Sequence, residues 1–221
     1  YHNPPHKKSK MRGKKQKIHI PAAGFTDSTA GCLIKPLFHA KTGSRPAHRL
    51  VEGDDGILFP VLLLHALGAD LTVWDEVVPL LPPGVRALRF DMRGHGRSDV
   101  PPAPYGMGAL VRDAERFLEA RGARDAVVVG LSIGGLIAQG LAVKRLDLVR
   151  GIVLSNTAAR IGNPGMWETR IAAVRAGGIA ALADATMERW FSRRFRAAGS
   201  DAPWRARLLA TPVEGYLGCM A

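Results

Sequence analysis

The stretch VVVGLSIGGLIAQG, residues 127–140, decides the fold of this chain. A run of valines precedes Gly130-Leu131-Ser132-Ile133-Gly134, and a helix-like pattern of small and apolar residues follows it. This pattern matches G-x-S-x-G, in which a serine lies on a sharp turn between a strand and a helix. The glycines are needed because side chains beside the turn would prevent it from closing. The flanking strand and helix make the motif specific, and Ser132 is the predicted nucleophile.

Further apolar segments on both sides of this turn predict the rest of a sheet. Four segments have the composition of buried strands: ILFPVLLL (57–64), VRALRFD (85–91), AVVVGL (126–131) and LVRGIVLSN (148–156). Helical patterns separate them. Asp70 is the expected N-cap of a helix that carries Trp74 to Leu81, and a second helix over Leu110–Leu118 stops at Gly122. Strands that alternate with helices predict an α/β fold with a mostly parallel sheet over residues 51–163.

The pattern changes after the fourth strand. From Pro164 to about Arg207 the spacing of apolar residues is helical, without a new strand. We therefore predict that residues 164–221 form a helical lid over the edge of the sheet where open α/β sheets bind ligands. Trp190 and Phe191, in the run ERWFSRRF, could line the site or simply pack in the lid, and the sequence favours neither.

The first 50 residues differ in composition from the rest. They carry 11 Lys and Arg against a single acid, whereas residues 51–221 carry 20 basic and 18 acidic residues. With no sustained periodicity, residues 1–50 are predicted to be disordered or loosely packed, or a non-native extension. A nucleic-acid-binding arm is the alternative. The shift from lysine to arginine after Lys41 favours a disordered or non-native segment over a binding arm, so no nucleic-acid partner is expected.

Cysteine usage and hydropathy point to a cytoplasmic protein. Cys32 and Cys219 are far apart and show no disulfide or metal-ligand spacing. No secretory signal is visible. Residues 126–143 lack charge, but their glycines, Ser132 and Gln139 favour a buried strand, turn and helix over a membrane span. No metal or other cofactor is expected, and the partner is a small molecule.

The segments after the first two strands suggest what surrounds Ser132. The turn His65-Ala66-Leu67-Gly68 can present the Leu67 N–H, and Ile133 presents its N–H at the positive end of a helix. Together they are the predicted oxyanion hole, which stabilises the charge that develops during acyl transfer. The turn DMRGHGRS, residues 91–98, is expected to stabilise loop structure rather than take part in chemistry.

HALG, DMRGHGRS and GLSIGG, in this order and spacing, resemble the α/β-hydrolase superfamily. Residues 61–221, above all NTAARIG (156–162) and ERWF (188–191), resemble the 3-oxoadipate enol-lactonases of the β-ketoadipate pathway of aromatic catabolism. The resemblance implies that Ser132 attacks the carbonyl of an enol-lactone and that water then releases 3-oxoadipate. Because that substrate carries a carboxylate, Arg160, Arg189 and Trp190 are candidate binding residues.

The resemblance also implies that part of the catalytic machinery is missing. The family places its acid and histidine after the lid, on the last strands, and this chain stops at Ala221. We therefore expect the last strands to be absent and the activity to be impaired, since a serine without a base is a weak nucleophile. His65 and His95 are the possible substitutes as base.

Two alternatives to an enol-lactonase remain. The first is another carboxylic-ester hydrolase, a C–C bond hydrolase or a cofactor-free haloperoxidase, all of which use a similar turn. The second is a non-catalytic interaction protein with a basic N-terminal arm, which predicts salt-sensitive binding to nucleic acid.

Overall fold

The computed structural model describes the backbone of residues 48–51 and the whole of residues 59–220. Five strands there form one sheet in the order β1-β3-β2-β4-β5. They are β1 (His48–Val51), β2 (Pro60–Leu64), β3 (Arg86–Phe90), β4 (Ala126–Leu131) and β5 (Val149–Ser155). β1 runs antiparallel to β3, and the other four strands are parallel. The predicted α/β fold with a mostly parallel sheet is confirmed.

β1 crosses the boundary that the sequence placed at residue 50. His48 pairs with Phe90 and Val51 with Ala87, at the edge of the sheet. Four residues are too short a run to show the two-residue alternation of a strand, and their partner β3 lies far along the chain. Residues 1–47 lie outside the described part, and with them the predicted disorder and the predicted basic arm.

Seven α-helices complete the described part. They are α1 (Met107–Ala120), α2 (Ile133–Lys144), α3 (Pro164–Gly177), α4 (Ala180–Trp190), α5 (Arg193–Ala197), α6 (Ala202–Ala210) and α7 (Val213–Gly218). α1 ends as predicted, with Gly122 at a φ of 59°. Within residues 59–220, no helix combines the length and the apolar composition that a membrane crossing requires.

The prediction of an α-helix after Asp70 is wrong. The chain forms two short 3₁₀ helices instead, Leu71–Trp74 and Val78–Leu80. The predicted cap is present, since the Asp70 carboxylate accepts the Thr72 N–H at 2.8 Å. Pro79 has no N–H to continue an α-helical ladder. The Leu71 N–H is also held by the distant Asp91 carboxylate at 2.7 Å, which no local pattern could reveal.

β2 explains why the apolar run near residue 60 is continuous. Leu62 and Leu64 enter a core cluster with residues of α1 and α2. Val61 and Leu63 point to the opposite face and pack with Trp74. Both faces of the strand are therefore buried, and each leucine contributes roughly 1.5–3 kcal/mol through the apolar area removed from water.

The helices α3 to α7 form the lid, which contacts the loops after β2 and β3. Val174, Ile179, Met187, Leu208 and Tyr216 belong to the apolar core of the lid. A Cβ atom at Gly68 would lie 2.6 Å from Leu208 Cδ1, and one at Gly94 would lie 2.4 Å from Gly215 Cα. These contacts place the lid over the carboxyl ends of the parallel strands.

Candidate active site

Ser132 lies on a strained turn between β4 and α2. Its φ is 56° and its ψ is −117°, a conformation that residues with a side chain rarely adopt. The backbone around it is well anchored, because Ser132 N–H donates to Ser155 O at 3.0 Å. Its carbonyl oxygen accepts from Thr157 Oγ1 at 2.7 Å. Neighbouring hydrogen bonds thus maintain a geometry that costs free energy locally.

Three glycines allow the turn to close. A Cβ atom at Gly130 would lie 2.3 Å from Gly134 O, and one at Gly134 would lie 2.4 Å from Leu64 O. At Gly135 it would lie 2.5 Å from Thr157 Cγ2. Two of the three collisions are with backbone atoms, which cannot move aside without displacing β2 or α2. The spacing of the motif therefore has a steric cause.

The Ser132 hydroxyl takes no part in holding the turn. Although Ser132 is the N-cap of α2, its side chain makes no capping hydrogen bond. Within residues 59–220, its Oγ has no hydrogen-bond partner. Ser132 lines two adjacent cavities, so the hydroxyl is available to a bound molecule.

Leu67 and Ile133 line the same cavity as Ser132. Ile133 is the first residue of α2, where N–H groups have no partner inside the helix. Neither N–H donates a hydrogen bond to any residue that the structure describes. The positive end of α2 reinforces the Ile133 donor. The arrangement is compatible with the predicted oxyanion hole.

Neither His65 nor His95 can act as the base for Ser132. His65 Nδ1 donates to Ala66 O at 2.8 Å, and its Nε2 accepts the Met92 N–H at 2.9 Å. His95 Nδ1 faces Arg93 O at 3.2 Å, and its Nε2 accepts the Gly68 N–H at 3.1 Å. The lone pair that would receive a proton is thus occupied in both rings. The alternative that either ring substitutes as the base is wrong.

Burial keeps both rings neutral. It lowers the pKa of His65 to about 4 and, together with the nearby His65, lowers the pKa of His95 to about 3. Their ring centroids lie 5.5 Å apart. The His95–Gly68 hydrogen bond joins the loop after β3 to the turn that carries Leu67. The two histidines therefore shape the site without taking part in its chemistry.

The loop over residues 91–98 has the structural role that its composition indicates. Asp91 Oδ2 accepts the Arg97 N–H at 3.0 Å, and the Asp91 backbone oxygen accepts from Ser98 Oγ at 2.5 Å. A Cβ atom at Gly96 would lie 2.3 Å from Asp91 Cγ, so only glycine fits there. Burial raises the pKa of Asp91, against the effect of its backbone hydrogen bonds.

The two cavities that share Ser132 differ in their walls. One, of about 460 Å³, is lined mainly by apolar and aromatic residues, including Val73, Phe191 and Trp204. The other, of about 360 Å³, contains Leu67, Ile133, Arg170 and Tyr216. Both volumes are in the range of small-molecule sites. Arg189 borders both cavities, so Ser132 stands where a largely apolar cavity meets a cavity with two arginines, the cationic cavity.

The structure brings only some of the predicted binding residues to Ser132. Arg189 and Trp190 line both cavities with it. Arg160 is exposed and lines a separate cavity of about 530 Å³ that does not include Ser132. Arg170 of α3 is a cavity residue that the sequence did not single out. A lone arginine in a helical pattern is indistinguishable from one that faces solvent, and only the packing of the lid reveals its place.

Arg170 and Arg189 have no acidic partner. Neither forms an ion pair or a hydrogen bond with any of the described residues. The Arg170 Cζ lies 5.7 Å from the Trp167 ring centroid, which orients the guanidinium. Burial, and then the charge of Arg170, lower the pKa of Arg189. The cavity therefore carries a positive charge that no side chain among residues 59–220 neutralises.

The acidic, histidine and cysteine side chains of the described part are spread apart. Residues 59–220 contain no group of three His, Cys, Asp or Glu side chains that could hold a metal ion. Cys219 lines the cationic cavity, but burial raises the pKa of its thiol to about 12. It is thus protonated at neutral pH and a poor nucleophile.

Comparison with known proteins agrees with this geometry. Residues 60–194 match the family model of the alpha/beta hydrolase fold. The chain is 30% identical over 166 residues to 3-oxoadipate enol-lactonase 2 of Acinetobacter baylyi, covering 72% of this chain and 61% of that protein. It thus spans about three fifths of the length of this curated relative.

Solved structures show the same likeness. The enol-lactonase from Burkholderia xenovorans LB400 is 35% identical with a TM-score of 0.75, over 79% of this chain and 68% of that one. A hydrolase from Pseudomonas aeruginosa is 36% identical with a TM-score of 0.75, over 81% and 68%. The strained serine turn, the parallel sheet and these matches lead to one conclusion: the chain belongs to the α/β-hydrolase fold family.

Proposed function

We propose that this chain carries the nucleophile and substrate pocket of a serine hydrolase that converts 3-oxoadipate enol-lactone to 3-oxoadipate. One observation carries the proposal: Ser132 lines one cavity with Leu67 and Ile133 and with two arginines. Among the described residues, its hydroxyl, the two backbone N–H groups and the two guanidinium groups have no hydrogen-bond partner. The likeness to two enol-lactonases supports this substrate over others. A nucleophile, oxyanion donors and charge for a carboxylate are what hydrolysis of an acidic lactone requires.

The proposed reaction follows from the positions of these groups. Ser132 Oγ attacks the lactone carbonyl, and the Leu67 and Ile133 N–H groups bind the oxyanion. The acyl C–O bond of the ring then breaks, which leaves an acyl-serine and an enolate, and the enolate takes up one proton at carbon and becomes a ketone. Water adds to the ester, the acyl–oxygen bond to Ser132 breaks, and 3-oxoadipate leaves.

The first step requires a base that accepts the proton of Ser132. The rings of His65 and His95 are excluded by their own hydrogen bonds. We therefore propose that the base and its orienting acid are not among residues 59–220, and that these residues alone support only slow reaction. A serine site without its base retains a residual rate from the oxyanion donors and binding, several orders of magnitude below the complete triad.

Labelling with a serine-directed phosphonate tests the proposal. We expect slow formation of one adduct, mapped by mass spectrometry to Ser132 and absent in Ser132→Ala. Exposed serines such as Ser200 provide the internal rate of an unassisted hydroxyl. Labelling of Ser132 no faster than Ser200 would contradict an oxyanion site. Labelling as fast as in a complete enol-lactonase treated in parallel would contradict the missing base.

Substrate comparison separates this function from the other hydrolase activities. With the wild-type chain, we expect the enol-lactone to acylate Ser132 faster than p-nitrophenyl acetate does, because only the lactone carries a carboxylate for the arginines. Mass spectrometry of the quenched protein measures the acyl-serine in both cases. A preference for the neutral ester would favour a general carboxylic-ester hydrolase.

A further inference from the structure

Three helices of the lid converge on the cationic cavity. Arg170 lies on α3, Arg189 on α4 and Tyr216 on α7, and all three line it with Ser132. The Tyr216 side chain is 2% exposed, and no described residue shares a hydrogen bond with its hydroxyl. Burial raises the pKa of Tyr216, and the charges of Arg170 and Arg189 act in the opposite direction. Packing of the lid thus brings three side chains that can donate hydrogen bonds to the same cavity.

Other arginines of the described part do have carboxylate partners. Arg93 binds Asp113 at 2.6 Å, Arg145 binds Glu115 at 2.6 Å, and Arg205 binds Asp184 at 2.6 Å. In the described part of the chain, no aspartate or glutamate lines either cavity next to Ser132. Two like charges in a common, partly desolvated cavity repel each other and oppose folding. A bound ligand with a negative charge would offset this repulsion between the two arginines.

We propose that Arg170, Arg189 and Tyr216 form a carboxylate clamp that selects substrates with a free carboxylate. The proposal rests on the proposed function for the role of Ser132. It assigns both arginines of the cavity to one carboxylate and adds Tyr216 as a specificity-determining residue. Two guanidinium groups can each donate planar pairs of hydrogen bonds to a carboxylate, and the phenol supplies one more.

The walls of the cavities also orient the substrate. Arg170 and Tyr216 line only the cavity that contains Leu67 and Ile133. Val73, Phe191 and Trp204 line only the other one. Arg189 borders both cavities, so Arg170 and Tyr216 are the groups that place the carboxylate on the oxyanion side of Ser132, and the other cavity receives the uncharged end of the molecule. Neutral esters lack the group that selects this orientation.

Equilibrium binding to the Ser132→Ala chain tests the clamp without any reaction. The probe is glutarate, measured by isothermal titration calorimetry, with 1,5-pentanediol as the uncharged molecule of the same chain length. We expect glutarate to bind and the diol to show at least tenfold weaker binding. Loss of one charged hydrogen-bonding partner should weaken glutarate binding about tenfold or more in Arg170→Gln.

Two further variants separate the clamp from general effects of charge and folding. Arg175→Gln removes the same charge from an exposed position of α3 that lines neither cavity, and it should change the dissociation constant less than about twofold. Arg170→Met keeps the side chain packed over Trp167 and should weaken binding as much as Arg170→Gln. Thermal unfolding monitored by circular dichroism verifies that each variant is folded.

The outcomes are distinct. Equal weakening by Arg170→Gln and Arg175→Gln, or equal binding of glutarate and pentanediol, would overturn the clamp. Failure of Ser132 to react with the phosphonate would overturn the proposed function, yet it would leave glutarate binding to the Ser132→Ala chain unchanged.

Discussion

Two pairs of basic side chains stand near Ser132, and they differ in what their polar atoms do. His65 and His95 are buried, neutral, and use ring nitrogens to bind backbone groups of the two loops. Arg170 and Arg189 are charged and bind no acidic group in the described part of the chain. The histidines join the loops after β2 and β3, whereas the arginines face a cavity.

The difference separates structural polar groups from functional ones. A buried polar atom that already has its partner stabilises the fold and is unavailable to a ligand. A cation that lines a cavity without a partner opposes folding slightly and is available to a ligand. Ser132 resembles the arginines in this respect. Hydrogen bonds from other residues maintain its strained backbone, while its hydroxyl makes no capping hydrogen bond. Stability measurements should therefore divide these residues into two groups.

Acid should produce the largest effect, through the histidines. The pKa of each ring is below its value in the unfolded chain, so their contribution to stability is complete above about pH 6.5 and is lost as the pH falls toward 4 and 3. We expect the free energy of unfolding to fall by several kcal/mol between pH 7 and pH 4. The raised pKa of Asp91 opposes this only in part. Urea unfolding at a series of pH values measures it. A flat profile between pH 6.5 and 4.5 would contradict neutral buried rings.

Removal of one histidine ring should have the next largest effect. His95→Ala creates a cavity and leaves the buried Gly68 N–H without its acceptor, and we expect a loss of about 3 kcal/mol. Val143→Ala, at a side chain that is 85% exposed, should change stability by less than about 0.5 kcal/mol. Urea denaturation of both variants at pH 7 tests this. A loss near that of Val143→Ala would show that the His95–Gly68 hydrogen bond is unimportant.

The strained serine should behave in the opposite way. Ser132→Gly relieves a positive φ and removes no hydrogen bond of the side chain, so we expect a gain of about 1 kcal/mol. Ser155→Gly, on the strand β5, should lose roughly 0.5–1 kcal/mol, because glycine weakens a strand. The difference between the two midpoints of thermal unfolding measures the strain. If Ser132→Gly destabilises the chain, the backbone of the turn is not strained.

Removal of a cavity arginine should have the smallest effect. Arg189→Gln deletes a charge that burial and Arg170 already disfavour, so stability should stay within about 0.5 kcal/mol of wild type or rise slightly. Arg93→Gln, which breaks a partly buried ion pair with Asp113, should cost more. Urea unfolding compares the two. A larger loss from Arg189→Gln would mean that the guanidinium has a structural partner after all.

The amino-acid sequence alone was sufficient for the features that depend on short-range order. The apolar segments predicted β2 to β5 because strands of a parallel sheet are rich in apolar residues, although Ile152, Val153 and Leu154 of β5 are exposed in the described structure. The G-x-S-x-G motif located the strained turn because its glycines obey a local steric rule. The cap at Asp70 and the stop at Gly122 were visible for the same reason, since each acts within a few residues.

Only the tertiary structure decided the features that depend on distant contacts. β1 is a strand because it pairs with β3. The segment after Asp70 forms 3₁₀ helices, and the distant Asp91 carboxylate binds its Leu71 N–H. The ring of His95 binds the Gly68 N–H in the loop after another strand. Arg170 lines a cavity with Ser132 because α3 packs in the lid, whereas Arg160, nearer in sequence, lines a different one. Short-range patterns report backbone propensity and burial, but the partner of a polar side chain is determined by which distant segments pack beside it.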